Sequence, residues 1–139
     1  MGLSYAELEI ANYDDVALAR RDKSLAADVR RMKVKLLADT GALMLALNED
    51  ISAQLGLEKV EERLAELADG STQSLDVVGP VELRFGNRRT VACAMVLPGD
   101  SEPLLGRIPM DDMDLIVEPK TQRIIIDPSM PYISRKSMK

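Results

Sequence analysis

Four residues, Asp39-Thr40-Gly41-Ala42, stand directly after the mostly apolar run Val34-Lys35-Leu36-Leu37-Ala38 and constrain this chain more than any other feature. A strand that runs from the surface into a core would deliver a carboxylate onto a glycine turn. Withdrawing a charge from water costs free energy, so chains that place a carboxylate there generally use its altered proton affinity for chemistry. The triplet Asp-Thr-Gly alone is a weak signal, since it arises by chance on the order of a few times in a hundred in chains of this length. Its companions downstream give it weight.

The chemistry open to the chain is narrow. It contains no histidine, which removes Ser-His and Cys-His nucleophile pairs and every imidazole metal site. The one cysteine, Cys93, lies in Val91-Ala92-Cys93-Ala94-Met95-Val96, cannot form an internal disulfide, and reads as a small core residue. Acid–base work must therefore come from carboxylates, lysines or tyrosines, and carboxylates are abundant; no metal and no cofactor is expected. With a net charge of −5, and with Arg20-Arg21, Arg30-Arg31 and Arg88-Arg89 scattered among acids, no footprint for a nucleic-acid backbone is present. The start Met1–Glu7 lacks an apolar stretch, and no run is long enough to span a bilayer. A cytoplasmic protein without a membrane partner is expected.

At 139 residues one domain is expected, its core built from Leu, Ile, Val, Met and Ala, because Trp is absent and Phe85 is the only Phe. Tyr5–Ile10 alternates like a strand, Asn12–Asp15 reads as a turn, and Val16–Arg21 reads as a returning strand. Ser24–Asp28 reads as a loop or helical turn, and Arg31–Leu37 as a strand entering the core. Asn48 is placed to cap a short helix stopped by Gly56. Glu58–Leu67 has helical propensities, yet the hairpin signal Asp69-Gly70 follows, so its last residues are expected to be extended. Ser71–Val78 leaves that hairpin, and Val81–Phe85 with Thr90–Leu97 forms a second one across Gly86-Asn87. Leu104-Leu105 reads as a short strand ending in Gly106, Pro109–Asp114 as helical turns, and Leu115–Val117 and Arg123–Ile126 as strands. The chain thus reads as mostly β with one or two short helices, followed by a loosely ordered tail from Pro128.

That order of features resembles one monomer of the retroviral-protease-like (retropepsin-like) aspartic proteases of single-domain type. The resemblance is carried by Leu36-Leu37-Ala38-Asp39-Thr40-Gly41-Ala42, by Gly79–Asn87 leading into Ala94–Leu97, and by Glu102-Pro103-Leu104-Leu105-Gly106-Arg107. It implies a mainly β, closed barrel-like acid protease monomer that assembles as a two-fold homodimer. It also divides the chain into an N-terminal strand or hairpin extension (1–32), a protease domain (33–127) and the tail (128–139). One carboxylate cannot both activate a water and hold the carbonyl that the water attacks, whereas two facing carboxylates sharing a proton can. With a single Asp-Thr-Gly per chain, the pair requires Asp39 from each subunit.

By the same resemblance, Asp39, Thr40 and Gly41 form the catalytic triplet. Thr40 bonds across the dimer axis, Gly41 brings its amide to the carboxylate, and Ala42 keeps the substrate channel narrow. Asp69, Gly70 and Ser71 become the tip of a flap that closes on peptide, while Leu104, Leu105, Gly106 and Arg107 support the catalytic loop from beneath. Two departures stand out. Leu43 occupies the place of an acidic residue that ordinarily pairs with the arginine after the glycine, and the segment before Lys33 exceeds that of a compact viral enzyme. The expected activity is endopeptidase cleavage of an extended peptide or protein substrate. The alternative is a non-catalytic dimeric β-module of the same fold that binds peptide or protein strands.

Overall fold

Alternation of apolar and polar residues builds the first walls of the core. The computed structural model describes residues 3–138, so Met1 and Gly2 at the start and Lys139 at the end of the tail lie outside the described residues. In β1 (Tyr5–Asn12) Ala6, Leu8 and Ile10 point inward at period two. There follow α1 (Tyr13–Arg21), a 3₁₀ turn over Lys23–Asp28, and β2 (Arg31–Ala38), which sets Val34 and Leu36 beside them. Next come β3 (Leu45–Asn48), α2 (Glu49–Leu55), β4 (Glu58–Glu66), β5 (Thr72–Phe85), β6 (Arg88–Leu97) and β7 (Leu104–Leu105). The described chain ends with α3 (Arg107–Asp112), β8 (Leu115–Glu118) and β9 (Arg123–Ile126), followed by residues 127–138 without helix or strand.

Six strands close into a barrel in the order β1-β2-β7-β3-β6-β5, with β5 returning to β1 along Glu9↔Arg84 to Asn12↔Val81. The closure at β7 is narrow: it pairs with β2 only at Leu37 and Ala38 and with β3 only at Ala46. The interior is filled by aliphatic side chains, among them Leu8, Ile10, Leu36, Leu45, Leu47, Leu83 and Leu105, all essentially inaccessible. Phe85 packs only at the margin of this core. The expected mainly β, closed-barrel fold with short helices is therefore what the chain adopts. No helix among the described residues is long and apolar enough to cross a membrane.

Several elements depart from the sequence expectation for identifiable reasons. Val16–Arg21, expected as a strand, belongs to α1. The Asn12 Oδ1 accepts the Asp15 amide at 3.1 Å, Asp14 and Asp15 occupy the first turn and Arg20 and Arg21 the last, so cap and dipole both favour helix. Glu58–Glu66 is extended throughout, because β4 pairs antiparallel with β5 from Glu58↔Gly79 to Glu66↔Thr72. Gly79-Pro80 does not separate two strands. It sits inside the 14-residue β5, where the register against β6 shifts between Val78 and Val81. One long strand thus serves both hairpins, and its first half carries β4 away from the barrel. The tail is tied down: Arg88 donates to the Met130 carbonyl, Asn87 to the Tyr132 carbonyl at 3.2 Å, and Lys136 meets the Asp114 carboxylate.

Candidate active site

The loop that carries Asp39 is built by β2 and held by β7. Those strands run parallel, with Leu37 beside Leu104 and Ala38 beside Leu105, and the Asp39 amide donates to the Leu105 carbonyl at 3.0 Å. The chain then turns tightly, the Ala42 amide donating to the Asp39 carbonyl at 3.1 Å. On the far side the amides of Arg107 and Ile108 donate to the carbonyls of Ala42 and Leu43, at 2.8 and 3.1 Å. Residues 39–43 are therefore held by backbone bonds at both ends, and the backbone of Leu43 and Met44 passes so close to Gly106 that no Cβ fits there.

Within the loop the Gly41 amide donates to the Asp39 Oδ1 at 2.9 Å. A Cβ on Gly41 would stand 3.1 Å from that same oxygen, which explains why glycine suits the position. The Asp39 Oδ2 takes no protein hydrogen bond among the described residues. Asp39 is half-buried, while Thr40 and Gly41 are exposed. The carboxylate thus sits in a shallow surface position, anchored through one oxygen.

Beside the loop lies a cavity of about 390 Å³. Its floor is Gly41 to Ala46 with Met95, Leu97 and Leu104, and its roof is Arg63 to Glu66 of β4, Leu67 just beyond it, and Leu75 of β5. The β4–β5 hairpin stands over the cavity with every β4 side chain except Ala65 exposed. Gly70, with φ +85°, and the bond from the Ser71 amide to Asp69 Oδ1 at 2.9 Å shape its tip. Bonds from Ser71 hold the Asp69 carboxyl below the usual carboxylate range.

Asp39, Thr40, Gly41, Ala42, Leu104, Leu105 and Gly106 are brought together around one loop. Asp69, Gly70 and Ser71 form the hairpin tip and do not line the cavity, whose roof comes from the residues just before them. Arg107 joins the loop through its backbone, and its exposed side chain forms no ion pair among the described residues. Met44, Arg63, Leu75, Met95 and Leu97 were not expected in the site from the sequence, because they converge only through cross-strand register. Among the described residues no group of three or more His, Cys, Asp or Glu side chains is gathered as a metal ion would need.

Comparison with known families adds one finding. Residues 26–108, more than half of the chain, match the family model described as aspartyl protease. The matched stretch holds β2, the Asp39 loop, the hairpin and β7. No curated protein matches the chain.

Proposed function

Because this chain belongs to the aspartyl protease family, we propose that it is an endopeptidase whose working form is a homodimer, with one Asp39 from each subunit. The observation that carries this reading is a solitary carboxylate on an exposed loop beside a roofed, apolar cavity. The chain has one Asp-Thr-Gly, so the second carboxylate must come from a second copy. Leu43 and Ile108, adjacent through a backbone bond and each more than half exposed, give that face apolar area to bury on pairing.

In the proposed reaction the two Asp39 side chains share one proton, as in aspartic proteases generally. The ionised member takes a proton from a water held between them, and the water oxygen attacks the peptide carbonyl carbon. The protonated member donates to the carbonyl oxygen, giving a neutral tetrahedral diol. Proton transfer to the amide nitrogen then lets the carbon–nitrogen bond break, leaving a carboxylic acid and an amine. Gly41 fixes the carboxylate through its amide, and Thr40 is assigned to the partner's backbone across the axis. The hairpin tip at Asp69–Ser71 closes over bound peptide and excludes water.

The test is peptide cleavage measured beside sedimentation. Activity should rise with dimer formation, and Asp39→Asn should abolish cleavage while leaving dimer and fold intact. A wild-type dimer that cleaves no peptide between about pH 4 and 7, or an Asp39→Asn protein that still cleaves, would overturn the reading.

A further inference from the structure

The cavity beneath the hairpin carries a charge that the proposed reaction does not use. Strand pairing sorts the roof residues by face. Arg63 stands opposite Leu75 and Glu61 opposite Val77, both partners buried, so Arg63 and Glu61 share the inward face. Leu64 and Glu66 stand opposite the exposed Ser74 and Thr72, which puts them on the outward face. Two charged residues border the cavity, Arg63 and Glu66, and only Arg63 is turned toward it.

The position of the guanidinium agrees. Arg63 Nη1 lies 3.5 Å from Met44 Sδ, so the side chain reaches from the roof to the floor. Thioether sulfur is a weak acceptor, and a charged donor bonded to it is only partly satisfied. Glu61 engages the Arg63 Nε, which orients the group, and the Arg63 side chain remains 53% exposed. The cavity floor that it faces is apolar: Ala42, Leu43, Met44, Leu45, Met95 and Leu97.

We infer that Arg63 is a specificity-determining residue, selecting peptides that carry an acidic side chain next to the apolar residue seated in the cavity. The inference rests on the endopeptidase reading for its site and goes beyond it in naming the substrate chemistry. A carboxylate on the bound strand replaces the sulfur with a charge-assisted, bidentate-capable acceptor, in a cleft where closing the hairpin removes water. A lysine in the same place meets a like charge. A neutral apolar side chain gains nothing from Arg63 and leaves it facing sulfur.

The experiment uses one neutral parent peptide with an apolar pair at its centre, a single Glu scanned through the flanking positions, and matched Gln and Lys versions. Cleavage is followed with wild type, Arg63→Gln and Arg63→Glu; binding of the same peptides is followed with Asp39→Asn and with Asp39→Asn carrying Arg63→Glu. At one or two positions Glu is expected to beat Gln by about tenfold, the size of one charge-assisted hydrogen-bonded pair in a partly dry cleft. The advantage should lie in KM, vanish in Arg63→Gln, and pass to the Lys peptide in Arg63→Glu. Cleavage without any Glu preference, or a preference unchanged in both variants, overturns the inference and leaves the endopeptidase reading standing. Glu-selective binding that depends on Arg63, with no cleavage by wild type, upholds the inference and overturns the reading. Peptides neither bound nor cleaved count against both.

Discussion

Gly106 lies against Met44 so closely that a Cβ on Gly106 would stand 2.2 Å from the Met44 carbonyl oxygen. The glycine has an ordinary extended backbone, φ −80° and ψ 176°, so it is required for space and not for conformational freedom. Met44 directly precedes β3 and ends the segment that begins at Asp39. Any side chain at 106 must therefore push the loop or the start of α3, and both are backbone, with no rotamer to relieve the contact.

Gly106→Ala is accordingly expected to destabilise the fold by about 1–3 kcal/mol, the usual cost of overpacking, and to displace the Asp39 loop. Denaturant unfolding measures the first effect. The second should appear as a larger loss of cleavage than any loss of folded protein explains, because a misplacement of about 1 Å at a reacting group costs on the order of a hundredfold. Activity that falls only in step with the folded fraction would show that the loop tolerates the push.

Asn12, the last residue of β1, ties it to α1, to the end of α2 and to Arg30 just before β2. Its Oδ1 caps α1 through the Asp15 amide, its Nδ2 donates to the Leu55 carbonyl at the end of α2 at 2.9 Å, and its own amide donates to the Arg30 carbonyl. Asn12→Ala removes a cap and leaves a buried carbonyl without its donor, for an expected loss of about 2–3 kcal/mol in thermal or denaturant unfolding. Asn12→Asp keeps the cap and sets a carboxylate against the Leu55 carbonyl, so it should rescue little. Full rescue by Asp would mean that the cap alone matters.

These two positions show what was legible in the chain and what was not. The Asp39 loop, the Asn48 cap with its Gly56 stop, and the alternation of Ala6, Leu8 and Ile10 are local signals, readable without partners. Val16-Ala17-Leu18-Ala19 matches a strand as well as a helix, and the Asn12 cap with the charges at either end decides. Residues 58–66 have side chains that favour a helix, and the pairing with β5 overrides them, a tertiary effect that no local window contains. Gly79-Pro80 looks like a break and lies within a strand because a bulge absorbs it. The cavity was least legible, since Met95, Leu97, Leu104 and Arg63 become neighbours only once the barrel closes.

Asp114 gathers the tail. Its side chain is almost wholly inaccessible, with the Arg88 Nε at 3.4 Å from Oδ2 and Lys136 on Oδ1. Lys136 also donates to the Asp111 carbonyl at 3.0 Å. Arg88 is itself buried, so this anion is held by one cation from the barrel and one from the tail. Lys136→Met should loosen residues 128–138, which limited proteolysis would register as earlier cutting there, and should lower stability by about 1–2 kcal/mol. Unchanged cleavage in the tail would place its anchoring elsewhere, at Asn87 and Met130.

Glu82 sets an acid limit on the same fold. The carboxylate is 3% exposed on β5, with Arg84 Nε and Arg89 Nε each at 3.0 Å. Burial alone would raise its pKa, and the bonds from Arg89 and Arg84 outweigh it, holding the group below the usual glutamate range. A carboxyl with a lower pKa folded than unfolded contributes stability that is complete above the unfolded value, about 4.3. That contribution is lost as pH falls through the lower, folded value. Wild type should therefore exceed Glu82→Gln by about 1–2 kcal/mol at neutral pH, and the gap should close below about pH 4. Paired urea titrations from pH 7 down to about pH 3 measure it, since urea carries no charge to screen the pair. A gap that stays constant into acid would assign the difference to packing. For the proposed protease the two effects meet in acid: the fold gives up this cluster's contribution on the acidic side of the range in which a shared carboxyl proton would be useful.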